Sequence, residues 1–290
     1  MKMAISGKTQ VCGVIGDPIA HSLSPAMHNA AFKHLKLDFV FLAFRVKTAD
    51  LENAVRGVRG LSIRGLNVTM PHKTAVIRYL DDIDSTVKSL GSANTILNDA
   101  GKLVGFNTDG AGALQALREN GVTPDGKNVL LLGAGGAAKA IAYALAQEAG
   151  ALCILNRIPE KAAVLADKLN RLFGKEIVGG ALSSSAVQEN LQDADILVNA
   201  TSVGMHPNVT QSLVAPQWLR SDLAVMDIVY NPVETKLAKD AKAAGAHVVS
   251  GVEMLLYQGA AAFQIWTGHA APIKAMRTAA LNHLRKAELK

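Results

Sequence analysis

Asn67-Val68-Thr69-Met70-Pro71-His72-Lys73 ends an apolar run and sets an amine beside amide and hydroxyl groups. Pro71 reads as the first residue of a helix, which would put His72 and Lys73 in its opening turn. Exposed cations there oppose the helix dipole at roughly 0.3–1 kcal/mol each. Stability alone would not choose them, so Lys73 is read as functional, whereas a solvent-facing position accounts for His72 equally well. Asn107-Thr108-Asp109-Gly110 precedes another helix. Thr108 or Asp109 as an N-cap competes there with a functional carboxylate. In Gly16-Asp17-Pro18-Ile19-Ala20-His21-Ser22-Leu23-Ser24-Pro25, capping by Ser24 with Pro25 at N1 accounts for one serine and leaves His21 and Ser22 without a reason.

A fourth string has the form of a phosphate-binding turn. Gly133-Ala134-Gly135-Gly136-Ala137-Ala138 fits G-x-G-x-x-A, a pattern that is weak alone. Here a strand enters it and an alanine-rich helix leaves it, as a dinucleotide fingerprint requires. Its glycines let the backbone approach a pyrophosphate, and the helix N-terminus offers free N–H groups. A ligand-free tight turn is the alternative. About 20 residues on, NAD-binding folds place an acid that holds the ribose hydroxyls. Asn156-Arg157 stands there instead, with Lys161 one helical turn later. A carboxylate would repel a 2′-phosphate and a guanidinium can grip it. Arg157 alone could be a solvated loop charge, but the missing acid and the present base together favour NADP(H) over NAD.

The elements that must position these groups alternate. Strands are expected at 10–15, 39–46 and 63–68, with helices at 25–34 and 50–58 between them. This implies crossover connections and a mainly parallel sheet. A hairpin pairs 95–97 with 103–105, and a helix at 111–120 leads to the turn cluster Pro124-Asp125-Gly126. Short apolar runs then recur at 128–132, 152–155, 196–199, 224–229 and 247–249, as expected of strands covered on both faces. Helices at 137–147, 160–173, 186–191 and 235–244 separate them, and 254–290 reads as helical throughout. The fold class is therefore α/β with two domains. Residues 1–109 form an α/β substrate-binding and catalytic domain on which the helices of 252–290 pack back. Residues 110–251 form a doubly wound Rossmann-type domain.

Composition excludes other classes. With 290 residues, 49% hydrophobic and 19% charged, the chain supports two packed cores rather than disorder. A net charge of +6 is scattered, with only Arg285, Lys286 and Lys290 near one another, so no nucleic-acid-binding stripe exists. No run of about 18 apolar residues predicts a membrane span, and the first ten residues lack a signal-peptide core. Cys12 and Cys153 share no metal-like spacing and are expected to be reduced core residues of a cytoplasmic protein. No metal is expected.

Taken in order, the strings above resemble the shikimate dehydrogenase family. Ala93-Asn94-Thr95, Asn199-Ala200-Thr201-Ser202-Val203-Gly204-Met205, Tyr230-Asn231-Pro232 and Met254-Leu255 with Gln258 extend the match to nearly the whole chain. The resemblance implies reversible NADPH-dependent reduction of 3-dehydroshikimate to shikimate, a step of chorismate and aromatic amino-acid biosynthesis. It implies that Ser22 and Ser24 hold the substrate carboxylate, and that Asn67, Thr69, Asn94, Asp109 and Gln258 bind ring hydroxyls. Lys73 with Asp109 would form the catalytic pair, and Tyr230 would stand near the substrate. Gly133, Ala134, Gly135, Gly136, Ala137, Asn156, Arg157, Lys161 and Thr201 would bind the cofactor, with Ile228 and Gly251 beside its nicotinamide. Many members carry a second arginine where Lys161 stands, and Ser85 fills a position that is often acidic. The rival readings are a quinate or dual quinate/shikimate dehydrogenase and a non-catalytic dinucleotide-sensing regulator. The expected assembly is a monomer or homodimer.

Overall fold

A computed structural model describes residues 5–288 of the chain, so Lys290 of the basic tail lies outside the described residues. Two compact units divide it. One runs to Thr108 and resumes at Gln258, and the other spans Asp109 to Tyr257.

The first unit begins β1 (Gln10–Gly16), α1 (Ser24–Leu35), β2 (Phe39–Arg45), α2 (Leu51–Gly60) and β3 (Gly65–Val68). It continues through β4 (Asp82–Ile83), α3 (Ser85–Leu90), β5 (Thr95–Asp99) and β6 (Lys102–Phe106). The sheet order is β2-β1-β3-β5-β6-β4. The β1/β2, β1/β3 and β4/β6 pairs are parallel, whereas β5 runs antiparallel to both β3 and β6. Ile15, Leu66, Val68 and Ile96 bury one face of this sheet with Val55 and Val58 of α2. In the same unit, His28 of α1 stacks on Phe41 of β2 and tilts against Trp266, and Phe32 of α1 tilts against Phe263.

The second unit holds α4 (Asp109–Glu119), β7 (Asn128–Leu132), α5 (Gly136–Glu148), β8 (Ala151–Asn156), α6 (Pro159–Phe173) and β9 (Val178–Ala181). After these come α7 (Ser184–Gln192), β10 (Ile196–Asn199), β11 (Ala224–Asp227), α8 (Lys236–Ala243) and β12 (His247–Ser250). Its sheet order is β12-β11-β10-β7-β8-β9, with every pair parallel. This is the doubly wound dinucleotide-binding topology, whose strand order reverses between β7 and β10. Alternation along the strands feeds two cores. Val129, Leu131, Ile154 and Val198 pack with Ile141 and Leu165 on one face, and Leu130, Leu132, Leu197 and Val225 pack with Val187 and Leu237 on the other.

Three expectations needed correction. The C-terminal stretch is not helical throughout, because α9 (Gly251–Thr267) and α10 (Ile273–Glu288) are separated. Gly268, at φ 72°, leaves the helical region, and Pro272 follows it. No helix begins at Pro71. The Lys73 carbonyl accepts instead from the Ala93 N–H at 2.8 Å, and only a 3₁₀ turn at Ala75–Tyr79 forms. The dipole argument for Lys73 therefore fails. Ser24 is also not an N-cap. It lies inside α1, where no side chain caps the helix, and its N–H donates to the Ser22 Oγ at 3.3 Å.

Candidate active site

The carboxyl edge of the first sheet collects the polar residues. β1 and β3 are adjacent and parallel, with Ile15 opposite Val68, so the chain leaves both at one edge. The exit of β1 leads to Ser22, half-buried, and Ser24, buried. The end of β3 carries Asn67, Thr69 and the half-buried Lys73. Because β5 is antiparallel to β3, with Thr95 opposite Asn67, its start brings Asn94 to the same edge. The end of β6 then delivers Asn107 and Thr108, since Phe106 lies opposite Thr95.

Hydrogen bonds lock this edge. Asn94 Oδ1 accepts from the Thr108 N–H at 2.8 Å and from the Thr95 hydroxyl at 3.0 Å. Its Nδ2 donates to Thr108 Oγ1 at 2.9 Å and, at 3.4 Å, to Gln258 Oε1. Asn67 donates to the Asn94 carbonyl and to Thr95 Oγ1. Asn107 is tied to the Ser92 carbonyl. The Thr108 hydroxyl thus serves Asn94. His72 does not face solvent. Its ring is buried, and Nε2 donates to the Val46 carbonyl at 2.7 Å, which pins the turn that carries Lys73.

In the second unit, Asp109 is buried and opens α4. Gly110, next to it, permits close approach of α4 to Ala140 of α5. Tyr230 follows β11 in this unit, and burial raises its phenol above the ordinary value.

The glycine turn stands at the end of β7, beside the strand-order reversal. Gly133 adopts φ 114°, and a Cβ there would lie 2.8 Å from the Ala200 carbonyl. Only glycine suits this approach to the turn bearing Thr201. Gly135 is the extended N-cap residue of α5, which leaves backbone N–H groups of the first turn open. Ala134, Gly135, Asn156, Arg157, Ile158 and Lys161 line one cavity of about 140 Å³. Two cations around a helix N-terminus, with no carboxylate in the lining, fit a phosphorylated ribose. Gly251 packs against the Ile228 carbonyl, where a Cβ would come within 2.5 Å, so these two positions are brought together.

The sequence reading missed Asp227. This residue ends β11 and is buried. Its carboxylate accepts from Asn199 Nδ2 at 2.9 Å, the Val229 N–H at 3.1 Å and Thr235 Oγ1 at 2.6 Å. Burial pushes its pKa up, against those hydrogen bonds. The available signal was a lone acid ending the apolar run Ala224-Val225-Met226. Among the described residues, no group of three or more His, Cys, Asp or Glu side chains could hold a metal ion.

A doubly wound unit with a basic cavity beside its glycine turn, carried with a separate sheet edged by amides, hydroxyls and a lysine, defines an NADP-dependent oxidoreductase of a small polar substrate. Comparison with known proteins narrows the class. Residues 14–96 match the shikimate dehydrogenase substrate binding domain, 116–246 the shikimate/quinate 5-dehydrogenase domain and 251–281 the shikimate 5'-dehydrogenase C-terminal domain. The chain is 48% identical to the shikimate dehydrogenase (NADP(+)) of Methanopyrus kandleri, over 98% of this chain and 99% of that one. A crystal structure of a shikimate dehydrogenase in complex with NADP+ superposes with a TM-score of 0.92 at 43% identity, covering 97% of this chain and 98% of the other. The shikimate 5-dehydrogenase of Listeria monocytogenes, in complex with shikimate and NAD, gives 0.90 at 37% identity, over 96% and 98%. The chain belongs to the shikimate dehydrogenase family.

Proposed function

We propose that this protein catalyses the reversible NADPH-dependent reduction of 3-dehydroshikimate to shikimate, within aromatic amino-acid biosynthesis. The observation that carries the reading is near-full-length identity to shikimate dehydrogenases (NADP(+)), joined to a ribose corner built from Arg157 and Lys161. Bound NADPH supplies the hydride. The first unit serves as the substrate domain, and the second holds the dinucleotide on its glycine turn.

Hydride addition to a ketone carbon leaves charge on oxygen, so a proton donor must stand within hydrogen-bond reach. Lys73 fills that role, because an ammonium polarises a carbonyl and can release a proton to it. Asp109 orients the lysine and accepts from a ring hydroxyl. Ser22 and Ser24 hold the substrate carboxylate. Asn67, Thr69, Asn94 and Gln258 bind ring hydroxyls, and Tyr230 stands near the substrate. Thr201, Ile228 and Gly251 flank the nicotinamide end. The two free cysteines, Cys12 and Cys153, support a cytoplasmic location, and no described helix is long and apolar enough to cross a membrane.

The deciding experiment follows nicotinamide absorbance with shikimate or quinate, each with NADP or NAD. The highest kcat/KM belongs to shikimate with NADP. A preference for quinate with NAD would refute the assignment, and dinucleotide binding without any turnover would favour the regulator.

A further inference from the structure

Asn67 has its polarity fixed by its neighbours. An asparagine amide offers two N–H donors on Nδ2 and acceptor lone pairs on Oδ1. Here Nδ2 faces the Asn94 backbone carbonyl at 3.3 Å and Thr95 Oγ1 at 3.2 Å, which engages both hydrogens. The opposite orientation would set Oδ1 against a carbonyl oxygen, two acceptors in contact. The Thr95 hydroxyl spends its own hydrogen on Asn94 Oδ1 at 3.0 Å, so toward Asn67 it can only accept. Asn67 Oδ1 is left buried and accepts no hydrogen bond among the described residues. A buried acceptor without a donor is destabilising, and a bound hydroxyl would remove that cost.

We propose that Thr95 is a positioning residue whose hydroxyl, together with the Asn94 carbonyl, holds Asn67 as an acceptor for a substrate hydroxyl. The proposal rests on the reading that Asn67 and Asn94 bind the substrate. Thr95 is fully buried and sits opposite Asn67 across the β3/β5 ladder, so it acts through these amides rather than by contact with substrate. The polarity also selects which ring oxygen Asn67 meets. The reacting oxygen alternates between hydroxyl and ketone, and a ketone has no hydrogen to offer Oδ1. Asn67 therefore reads a ring hydroxyl away from the reacting carbon, one that stays a donor in substrate and product alike.

Thr95→Val removes the hydroxyl and keeps the branched shape. It should raise the KM for shikimate about tenfold, with kcat within threefold of the parent and the KM for NADP unchanged. Thr95→Ser restores the hydroxyl and should recover most of the lost affinity. A parental KM in Thr95→Val, or equal impairment in the Val and Ser variants, would overturn the proposal, the second because packing of the methyl would then explain the loss. If Thr95→Val does not fold, Thr95→Ala compared with Thr95→Ser isolates the hydroxyl. A difference between those two supports the proposal, and equality refutes it. Asn67→Ala separates the two layers of the argument: an unchanged shikimate KM there removes the substrate-binding reading, whereas a raised KM with a parental Thr95→Val removes only the role of Thr95.

Discussion

Thr235 Oγ1 donates to Asp227 Oδ2 at 2.6 Å, and both side chains are buried. The same hydroxyl accepts from the Ala238 N–H as the N-cap of α8, so it has only one proton to give and gives it to the carboxylate. Asp227 thereby ties three segments together. Asn199, held on Oδ1, in turn accepts from the Thr201 hydroxyl at 2.7 Å, and Val229 follows Ile228. Thr201 and Ile228, assigned to the cofactor just after β10 and β11, thus hang on one acid.

All three groups around Asp227 are donors, so the position demands a pure acceptor. Asp227→Asn would turn an N–H₂ toward one of them and leave a buried group unmatched, a loss of about 1–3 kcal/mol. The expected outcome is a melting temperature lower by several degrees, with the KM for NADP raised more than that for shikimate. Thermal melts and steady-state kinetics check it. Equal change in both Michaelis constants would show that the network does not favour the cofactor side.

Arg157 and Lys161 are exposed at the rim of the cavity that also contains Gly135. Only NADP carries a 2′-phosphate for Arg157 to grip. Arg157→Ala should raise the KM for NADP at least tenfold and leave that for NAD nearly unchanged. Lys161→Ala should act in the same direction with a smaller effect, because an ammonium lacks the bidentate fork. Parallel kinetics with the two cofactors decide it, and equal losses for both would make Arg157 a structural residue.

His28 gives the first unit an acid weakness. The ring is fully buried against Phe41, at 4.4 Å between centroids, and neither nitrogen has a hydrogen-bond partner among the described residues. Burial holds its pKa down at about 3. An unfolded chain regains a histidine near 6.5, so between those values the unfolded state binds the extra proton. Stability is therefore fully present above about pH 6.5 and is lost as pH falls toward 3, by up to about 1.4 kcal/mol per unit. Burial raises the Asp227 pKa instead, which gives that residue the opposite trend in acid. His28→Phe should stabilise the protein at pH 7 and remove about 2–3 kcal/mol of the loss between pH 6.5 and 4.5. Urea midpoints at the two pH values test this; unchanged acid sensitivity would place the weakness elsewhere.

The sequence made the second unit more legible than the site. β7 and β10 were readable to the residue because Asn128–Leu132 and Ile196–Asn199 are apolar runs with polar flanks. β9 escaped because Val178-Gly179-Gly180-Ala181 has a single strand-forming side chain, Val178, and its place depends on the close approach of Gly179 to the backbone of α6. β4, two residues long, carries no periodicity to read. The motif around Lys73 was visible, yet its helix was not there, since a long-range bond from Ala93 decided the local geometry. The Thr95 and Asp227 networks were hidden for the same reason. Which donor meets which acceptor depends on strand order, and strand order is not written in any one string.

Lys73 keeps its assignment on other grounds than the helix dipole. It follows the pinned His72, and its carbonyl bond to Ala93 holds the turn beside the strand that presents Asn94. Lys73→Met retains the bulk of the stem and removes the ammonium. If Lys73 supplies the proton, kcat should fall by about 10²–10⁴. The NADP dissociation constant should hardly change, because the cofactor residues belong to the other unit. Asp109→Asn should also slow turnover. In the double variant the loss should be smaller than the sum of the two single effects, as expected for groups that act together. Thermal melts of all three variants guard the interpretation. Asp109 opens α4, so a purely structural role there predicts a lowered melting temperature with kcat little altered. Near-parental turnover in a well-folded Lys73→Met variant would remove the lysine from the chemistry.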